Sequence, residues 1–371
     1  MASIWTKTVA TVALLTAAGA VTAQPAWVLT ELPDLPGFGD ESWAQDINNL
    51  GQVVGRASTR TSGARAVLWQ HGQVVDLGSL RSTPGGWNDA RAINDAGQVV
   101  GMTDTPTSSS YRAFLWQAGS LTGLPMPPPF DYSGANAING SGTIAGFVGT
   151  GLPAVWRQGV PTVAPVPPDF LAGVATGIND EGRVIANSDV GGAFVWQGDS
   201  FTRLAAVGEA NAINQAGQIA GWSGVDGAQH AALWDDAGAM RDLGVPDSFA
   251  GSVALGLNDM GQVVGRAHRP NPQSGVSEYH AVLWQDGRTI DLNTLPGVAG
   301  SGLTLAWAED INDHGQIVGE GIDARGRWNA FLLSPVPEPS AWALLLVGAG
   351  LVVPVRRRSR QSRSLQRCSR R

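Results

Sequence analysis

The sequence predicts an all-β chain folded as a seven-bladed β-propeller of four-stranded antiparallel blades, closed by its own N-terminal strand. Three observations lead there. One motif, I-N-x-x-G-x-[V/I]-x-G, recurs seven times. Each copy breaks into short β-branched or aromatic segments bounded by turn residues. The seventh copy lacks its last segment, and the chain start supplies a matching one.

The motif copies start at Ile47, Ile93, Ile138, Ile178, Ile213, Leu257 and Ile311, so their asparagines are Asn48, Asn94, Asn139, Asn179, Asn214, Asn258 and Asn312. Leu257 replaces the first Ile of its copy, and Ala186 replaces the last Gly of the fourth. Asn at the head of a turn bonds backbone two residues on, and Gly at the fourth place accepts the left-handed conformation of a type I turn with a G1 bulge. Each Asn-x-x-Gly unit therefore joins two antiparallel strands tightly. An apolar strand follows, ending in Trp69, Trp116, Trp156, Trp196, Trp234 or Trp284, with Leu333 in that place in the last copy. These recurrent rings are expected to pack between blades. A second tight turn, such as Gln70-His71-Gly72, leads to a fourth short strand such as Val74-Val75-Asp76-Leu77.

No segment between 26 and 335 sustains a 3.6-residue apolar stripe for ten residues, so helices should be rare. Asparagine-to-asparagine spacings of 46, 45, 40, 35, 44 and 54 residues suit propeller blades. An open β-solenoid is the competing architecture. It gives no reason for Val28-Leu29-Thr30-Glu31-Leu32 to match the strand missing after Leu333, whereas a closed ring does.

The chain has 371 residues, and its only cysteine is Cys368, which excludes disulfides and thiolate metal sites from the repeats. Between residues 26 and 335 stand fifteen basic and thirty acidic residues, leaving the repeats at about −15. Such a field repels nucleic acid, so no nucleic-acid partner is expected.

Both ends carry different chemistry. Residues 1–23 read as a signal peptide: Lys7, an uncharged run from Thr8 to Val21, and small residues at Val21-Thr22-Ala23 before cleavage. Residues 336–371 form a tail: Val336-Pro337-Glu338-Pro339, an apolar run from Ala341 to Val355, then Arg356-Arg357-Arg358. Fifteen helical residues reach only ~22 Å, short of a ~30 Å hydrocarbon core, so this run makes a short transmembrane helix at most. The tail resembles the PEP-CTERM sorting signal. That resemblance implies an exosortase partner, cleavage, transient inner-membrane anchoring in a Gram-negative bacterium, and association with exopolysaccharide or biofilm. Forms such as His280-Ala281-Val282-Leu283-Trp284 and Asn329-Ala330-Phe331-Leu332 resemble HAF-type extracellular repeats, which implies an exported repeat protein.

Residues that could carry chemistry are sparse. No G-x-S-x-G elbow, P-loop or helix-opening GxGxxG occurs. His230 and His280 open Trp-containing strands in adjacent blades, too far apart to share a metal. The same place holds Arg65, Arg112 and Asn329, a position expected to hydrogen-bond a neighbouring loop. Asp95, Asp180, Asp259 and Asp313 follow turn asparagines without a calcium-loop frame. Glu309-Asp310 and Asp235-Asp236 are strand neighbours, expected to face opposite sides. No metal, no cofactor and no catalytic residue is therefore expected, and the chain is read as not an enzyme. An exported polysaccharide lyase or glycosidase is the alternative, requiring polar groups that converge near the axis.

The tight turns of every blade should share one rim, and the irregular connections the other. Loops on a rigid scaffold are where binding concentrates. Trp87, Tyr111, Tyr132, Phe170, Trp222 and Trp307 are the candidate binding residues there, suited to stacking on an extracellular polysaccharide. The same rings would equally close the mouths between blades.

Overall fold

A computed structural model describes residues 26–336, apart from 61–62, 82–85, 107–109, 169, 171, 190 and 272–276. The expected signal peptide, sorting motif and C-terminal helix lie outside the described residues, except for Val336. Among the described residues no helix is long and apolar enough to cross a membrane. The chain divides into two units, Trp27–Pro335 and the remainder, Met1–Ala26 with Val336–Arg371. The first unit is the propeller.

Its strands run in sequence order. Blade 1 is β2 (Ser42–Ile47), β3 (Val53–Ser58), β4 (Ala64–Gln70) and β5 (Gln73–Asp76). Blade 2 is β6 (Asn88–Ile93), β7 (Val99–Asp104), β8 (Tyr111–Gln117) and β9 (Ser120–Gly123). Blade 3 is β10 (Ser133–Ile138), β11 (Ile144–Val148), β12 (Leu152–Arg157) and β13 (Val160–Val163). Blade 4 is β14 (Gly173–Ile178), β15 (Val184–Ser188), β16 (Ala193–Gln197) and β17 (Ser200–Ala205). Blade 5 is β18 (Gly208–Ile213), β19 (Ile219–Val225), β20 (Ala228–Trp234) and β21 (Met240–Gly244). Blade 6 is β22 (Gly251–Leu257), β23 (Val263–Pro270), β24 (Ser277–Gln285) and β25 (Arg288–Asp291). Blade 7 is β26 (Leu303–Ile311), β27 (Ile317–Asp323) and β28 (Trp328–Pro335), completed by β1 (Trp27–Glu31).

The closing strand pairs as the sequence predicts. β1 lies antiparallel to β28 with Trp27 opposite Pro335 and Glu31 opposite Phe331. The last blade thus has its fourth strand, and the ring has no missing piece.

The turns form as their chemistry dictates. Gly51 has φ +72° and its N–H donates to the Asn48 carbonyl, while the Asn48 Oδ1 accepts from the Gln52 N–H at 2.9 Å. The Asn48 amide then reaches out of its own blade and donates to the Asn94 carbonyl at 3.0 Å. Asn94 donates to Asn139, Asn139 to Asn179, Asn179 to Asn214, Asn214 to Asn258 and Asn258 to Asn312. Asn312 returns to Asn48 at 3.0 Å and closes the circle. All seven asparagines are buried.

The core is divided into wedges between neighbouring blades. Trp196 of blade 4 packs with Ala145 and Val155 of blade 3, and Trp284 of blade 6 with Ala220 and Leu233 of blade 5. Trp69 packs with Val318 and Ala330 of blade 7. Trp116 alone of the six is only half-buried. Trp196→Ala empties one wedge and should destabilise the protein by about 3–5 kcal/mol, the range for a large buried aromatic. Denaturant unfolding measures it, and a loss under about 1 kcal/mol would show that the wedge does not depend on the ring. Asn258→Ala leaves the buried Asn312 carbonyl without this donor and should cost about 1–3 kcal/mol. The control is Met260→Ala in the same turn, whose side chain is exposed and which should change little.

Candidate functional site: the loop rim and the axial channel

The innermost strand of every blade carries a β-bulge at one place. Register shifts fall between Ala44 and Asp46, Ala90 and Ala92, Ala135 and Ala137, Ala175 and Gly177, Ala210 and Ala212, Ala254 and Gly256, and Ala308 and Asp310. The last Gly of the sequence motif stands opposite the Ala before the bulge. A Cβ added at Gly55 would sit 2.0 Å from the Trp43 carbonyl, and one at Gly265 2.0 Å from that of Val253. The motif's final glycine therefore makes room for backbone. Ala186 holds this place in blade 4 with the same register, and nothing in the structure explains the tolerance.

The bulged residues, third before each ring asparagine, line a cavity of about 200 Å³ on the axis, Gln45, Arg91, Asn136, Thr176, Asn211, Leu255 and Glu309 among its walls. Three of them staple their blade to the next. Asn136 donates to the Ala175 carbonyl at 2.7 Å, Thr176 to that of Ala210 at 2.7 Å, and Asn211 to that of Ala254 at 2.8 Å. Arg91 instead bonds Asp89 and Asn136.

Around blade 7 the walls turn acidic. Asp310 of β26 contacts Asp46 of β2, and Glu309 contacts Glu320 of β27. Burial pushes all four carboxyls up, Glu309 to about 7. The bulge at Glu309 breaks the alternation expected of this strand, so Glu309 and Asp310 both line the axial cavity, each against a different carboxyl. Sequence reasoning missed both pairs. The available signal, for Glu309 alone, was the residue third before each asparagine, always preceded by Ala and polar in every copy except Leu255.

On the rim with the irregular connections, the candidate aromatics fall into separate groups. Trp87, Tyr111 and Tyr132 form one row, edge to face at 5.5 and 5.9 Å, continued by Phe147. The three are half-buried, and burial with nearby Asp104 raises the Tyr111 hydroxyl's pKa. Trp307 lies 5.6 Å from Trp328 and 6.2 Å from Tyr279, with the Arg266 guanidinium 4.6 Å above it. Trp222 is half-buried on β19, opposite Glu209 and in neither row. Phe170 is interior, packed on Phe194 and Phe201. Sequence reasoning overlooked Trp43, whose ring carries Arg56 at 4.8 Å.

The histidines do not converge. His230 meets Asp242 at 2.9 Å and His280 meets Asp291 at 2.7 Å, each on the outer strand of its own blade. Arg65 meets Asp76 in the same way. The Asp after each turn asparagine caps the preceding blade: Asp259 accepts from Gln215 N–H, and Asp313 from Asp259 N–H. Asp235 closes its own turn by accepting from the Ala239 N–H, and Asp236 pairs with Arg183. Among the described residues no three His, Cys, Asp or Glu are grouped to hold a metal ion.

The PEP-CTERM protein-sorting motif is found at residues 335–361. The chain is thus an exported β-propeller carrying a PEP-CTERM signal, of the kind sorted to the cell surface. No curated protein matches the chain. Among solved structures it resembles TolB from Acinetobacter baumannii, at 12% identity and TM-score 0.41 over 79% of this chain and 64% of that one. It resembles an oligogalacturonate lyase in complex with manganese, at 11% identity and TM-score 0.48 over 86% of this chain and all of that one. It also resembles Trypanosoma rangeli sialidase, at 9% identity and TM-score 0.41 over 85% of this chain and 58% of that one. The chain spans less than two thirds of the TolB and sialidase chains. These likenesses concern the fold. They correct one expectation: the structures matched include enzymes, so the reading of this chain as not an enzyme does not stand.

Proposed function

We propose that the protein is a binding component of an extracellular polysaccharide or biofilm layer, and that it binds through the loop rim. The observation that carries this is where the chain leaves the propeller. Pro335 ends β28 on the asparagine-turn rim, 3.5 Å from where a Cβ on Gly315 would lie, with Ser334 bonded to Gln316 of the same turn. The strand that leads into the sorting tail therefore ends on the invariant rim, opposite the variable rim. The rows around Tyr111 and Trp307 offer aromatic edges and faces beside Asp104, Arg266 and Glu278, a set suited to sugar rings and their hydroxyls. Trp222 adds a further ring on that rim, while Phe170 packs inside on Phe194 and Phe201. The body's charge of about −15 favours neutral chains over strongly anionic ones. The repeats belong with HAF-type extracellular repeats on the forms quoted above.

The test is a glycan array probed with residues 24–335. Binding to a neutral polysaccharide, weakened about tenfold or more by Tyr111→Ala or by Trp307→Ala, is expected; a ring worth over about 1.4 kcal/mol gives that factor. Binding that survives both changes would place the site elsewhere, and no binding to any glycan would remove the proposal.

The tail gives a second expectation. An apolar run of fifteen residues, too short for a comfortable span, suits a temporary stop read by an exosortase at the membrane boundary. The mature protein should begin near Gln24 and end close to Pro337–Ser340. Mass spectrometry of the surface fraction from the native host checks this. Peptides from Ser359 to Arg371 in that fraction would mean a retained anchor.

A further inference from the structure

We infer that the seam between blades 7 and 1 is a proton-dependent latch, closed by the carboxyl pair Asp46 with Asp310, held together by a shared proton, and backed inside blade 7 by the pair Glu309 with Glu320, whose Glu320 is reached across the seam by Gln45. The inference begins from where the neutral staples stop. Asn136, Thr176 and Asn211 bond the next blade's alanine carbonyl, and none of them titrates. Leu255, at the same place in blade 6, has nothing to donate. In blade 7 the place is taken by Glu309, which donates only when protonated. Gln45 of blade 1 has turned back across the seam and donates to Glu320 Oε1 at 3.4 Å. Acid chemistry thus replaces amide chemistry at the one junction where the two ends of the propeller meet.

The second pair ties three blades. Asp46 Oδ2 accepts from the Ile93 N–H of blade 2 at 2.6 Å, and its Oδ1 accepts from its neighbour Ile47 at 2.9 Å. Asp310 Oδ2 of blade 7 reaches the same Ile47 N–H at 3.2 Å. Two carboxylates both charged at such a distance repel; one proton between them turns repulsion into a hydrogen bond. Among the described residues no cation faces Asp46 or Asp310, whereas Arg56 and Arg266 partly offset the repulsion at Glu309, and Arg56 that at Glu320. Arg56 of β3 is bonded to Asp89 and lies on Trp43, while Arg266 of β23 lies on Trp307 and Tyr279. Asp95, on the turn after β6, adds a further negative charge facing Asp46. The Glu309–Glu320 pair is also no candidate for chemistry on a substrate, because Glu320 is fully buried. Its Oε2 has no hydrogen-bond donor, and the buried Nε1–H of its cross-strand neighbour Trp307 has no acceptor.

The sign follows from the direction of the shifts. Carboxyls raised in the folded state hold the seam fully below their ordinary range, near pH 4.5, and lose it as pH rises through the folded values, which for Glu309 lies at about 7. The latch is closed in mildly acidic surroundings and strained above neutrality. His280, raised by its bond to Asp291 in blade 6, titrates with the same sign and must be separated from it.

The experiment is amide hydrogen exchange on the full propeller at pH 6 and pH 8.5, with protection factors corrected for intrinsic rates. Protection at Ile47 and Ile93 should fall about tenfold or more at the higher pH, while amides bonded across the blade 4–blade 5 seam, such as Ala210, hold. The double variant Asp310→Asn with Glu320→Gln carries permanent amide stand-ins for the protonated acids. It should keep that protection at pH 8.5, and its melting temperature should change less between the two pH values than that of the natural chain. Unchanged protection at Ile47 and Ile93 in the natural chain would overturn the inference, and that measurement stands even if the variant fails to fold. So would a loss of protection that persists undiminished in the double variant, since the titration would then belong to His280 or another group.

Discussion

The circle of asparagine amides is the constraint to which the other features answer. Each amide does two things at once: its oxygen closes a turn within its own blade, and its nitrogen bonds the carbonyl of the next turn. A circle of seven such bonds has no free end, so every blade must present its turn at the same height and the same angular step. Repeat lengths from 35 to 54 residues are compatible with this only if all the variation is sent elsewhere. It goes to the opposite rim. The uniformity of one face and the irregularity of the other are therefore two consequences of one hydrogen-bond pattern. The second belt, in which Asp259, Asp313 and Asn49 accept backbone N–H groups from neighbouring turns, is broken only at Gly140, which has no side chain to offer Asp95.

The bulges transmit the same constraint inward. An extra residue on each inner strand puts one side chain per blade on the axis, and the Gly opposite lets the backbone come close enough to allow it. The channel wall is thus composed by the third residue before each asparagine. Amides and a hydroxyl there link blades without regard to pH.

Much of this was legible in the sequence because it is periodic and local. Asn-x-x-Gly carries its own turn chemistry, the Trp places repeat in register, and Val28–Leu32 matched a visible gap. The motif's final Gly was equally visible, but its reason is a carbonyl on the paired strand, and strand pairing is not a local property. The carboxyl pairs were hidden more deeply. Asp46 and Asp310 are separated by 264 residues and meet only because the ring closes. Alternation along β26 would have put Glu309 and Asp310 on opposite faces, but the bulge brings both to the axial cavity, and no spacing rule could supply Glu320 or Asp46 as their partners. For the aromatics, position on the rim could be read but neighbours could not: Phe170 stands in sequence like the others and lies inside, while Trp43 looked like strand and carries an arginine.

Closure by the first strand also sets an order on assembly. β1 has no partner until β28 exists, and β28 ends at Pro335, immediately before the sorting signal. The seam between blades 7 and 1 can form only once nearly the whole propeller has been made, because Asn312 must find Asn48 and Asp310 must find Asp46 across that interval. Entropy does not forbid so long a loop, since each doubling of length adds only about 0.6 kcal/mol to its closure. What it demands is that the last contacts be specific enough to complete the ring rather than recruit a strand from another chain. The seam adds to the asparagine bond it shares with the other six the facing acids Asp46 and Asp310, beside a blade that the pairing of β1 with β28 completes. The sorting tail begins where β28 ends, so its point of departure is built into the same closing strand pair.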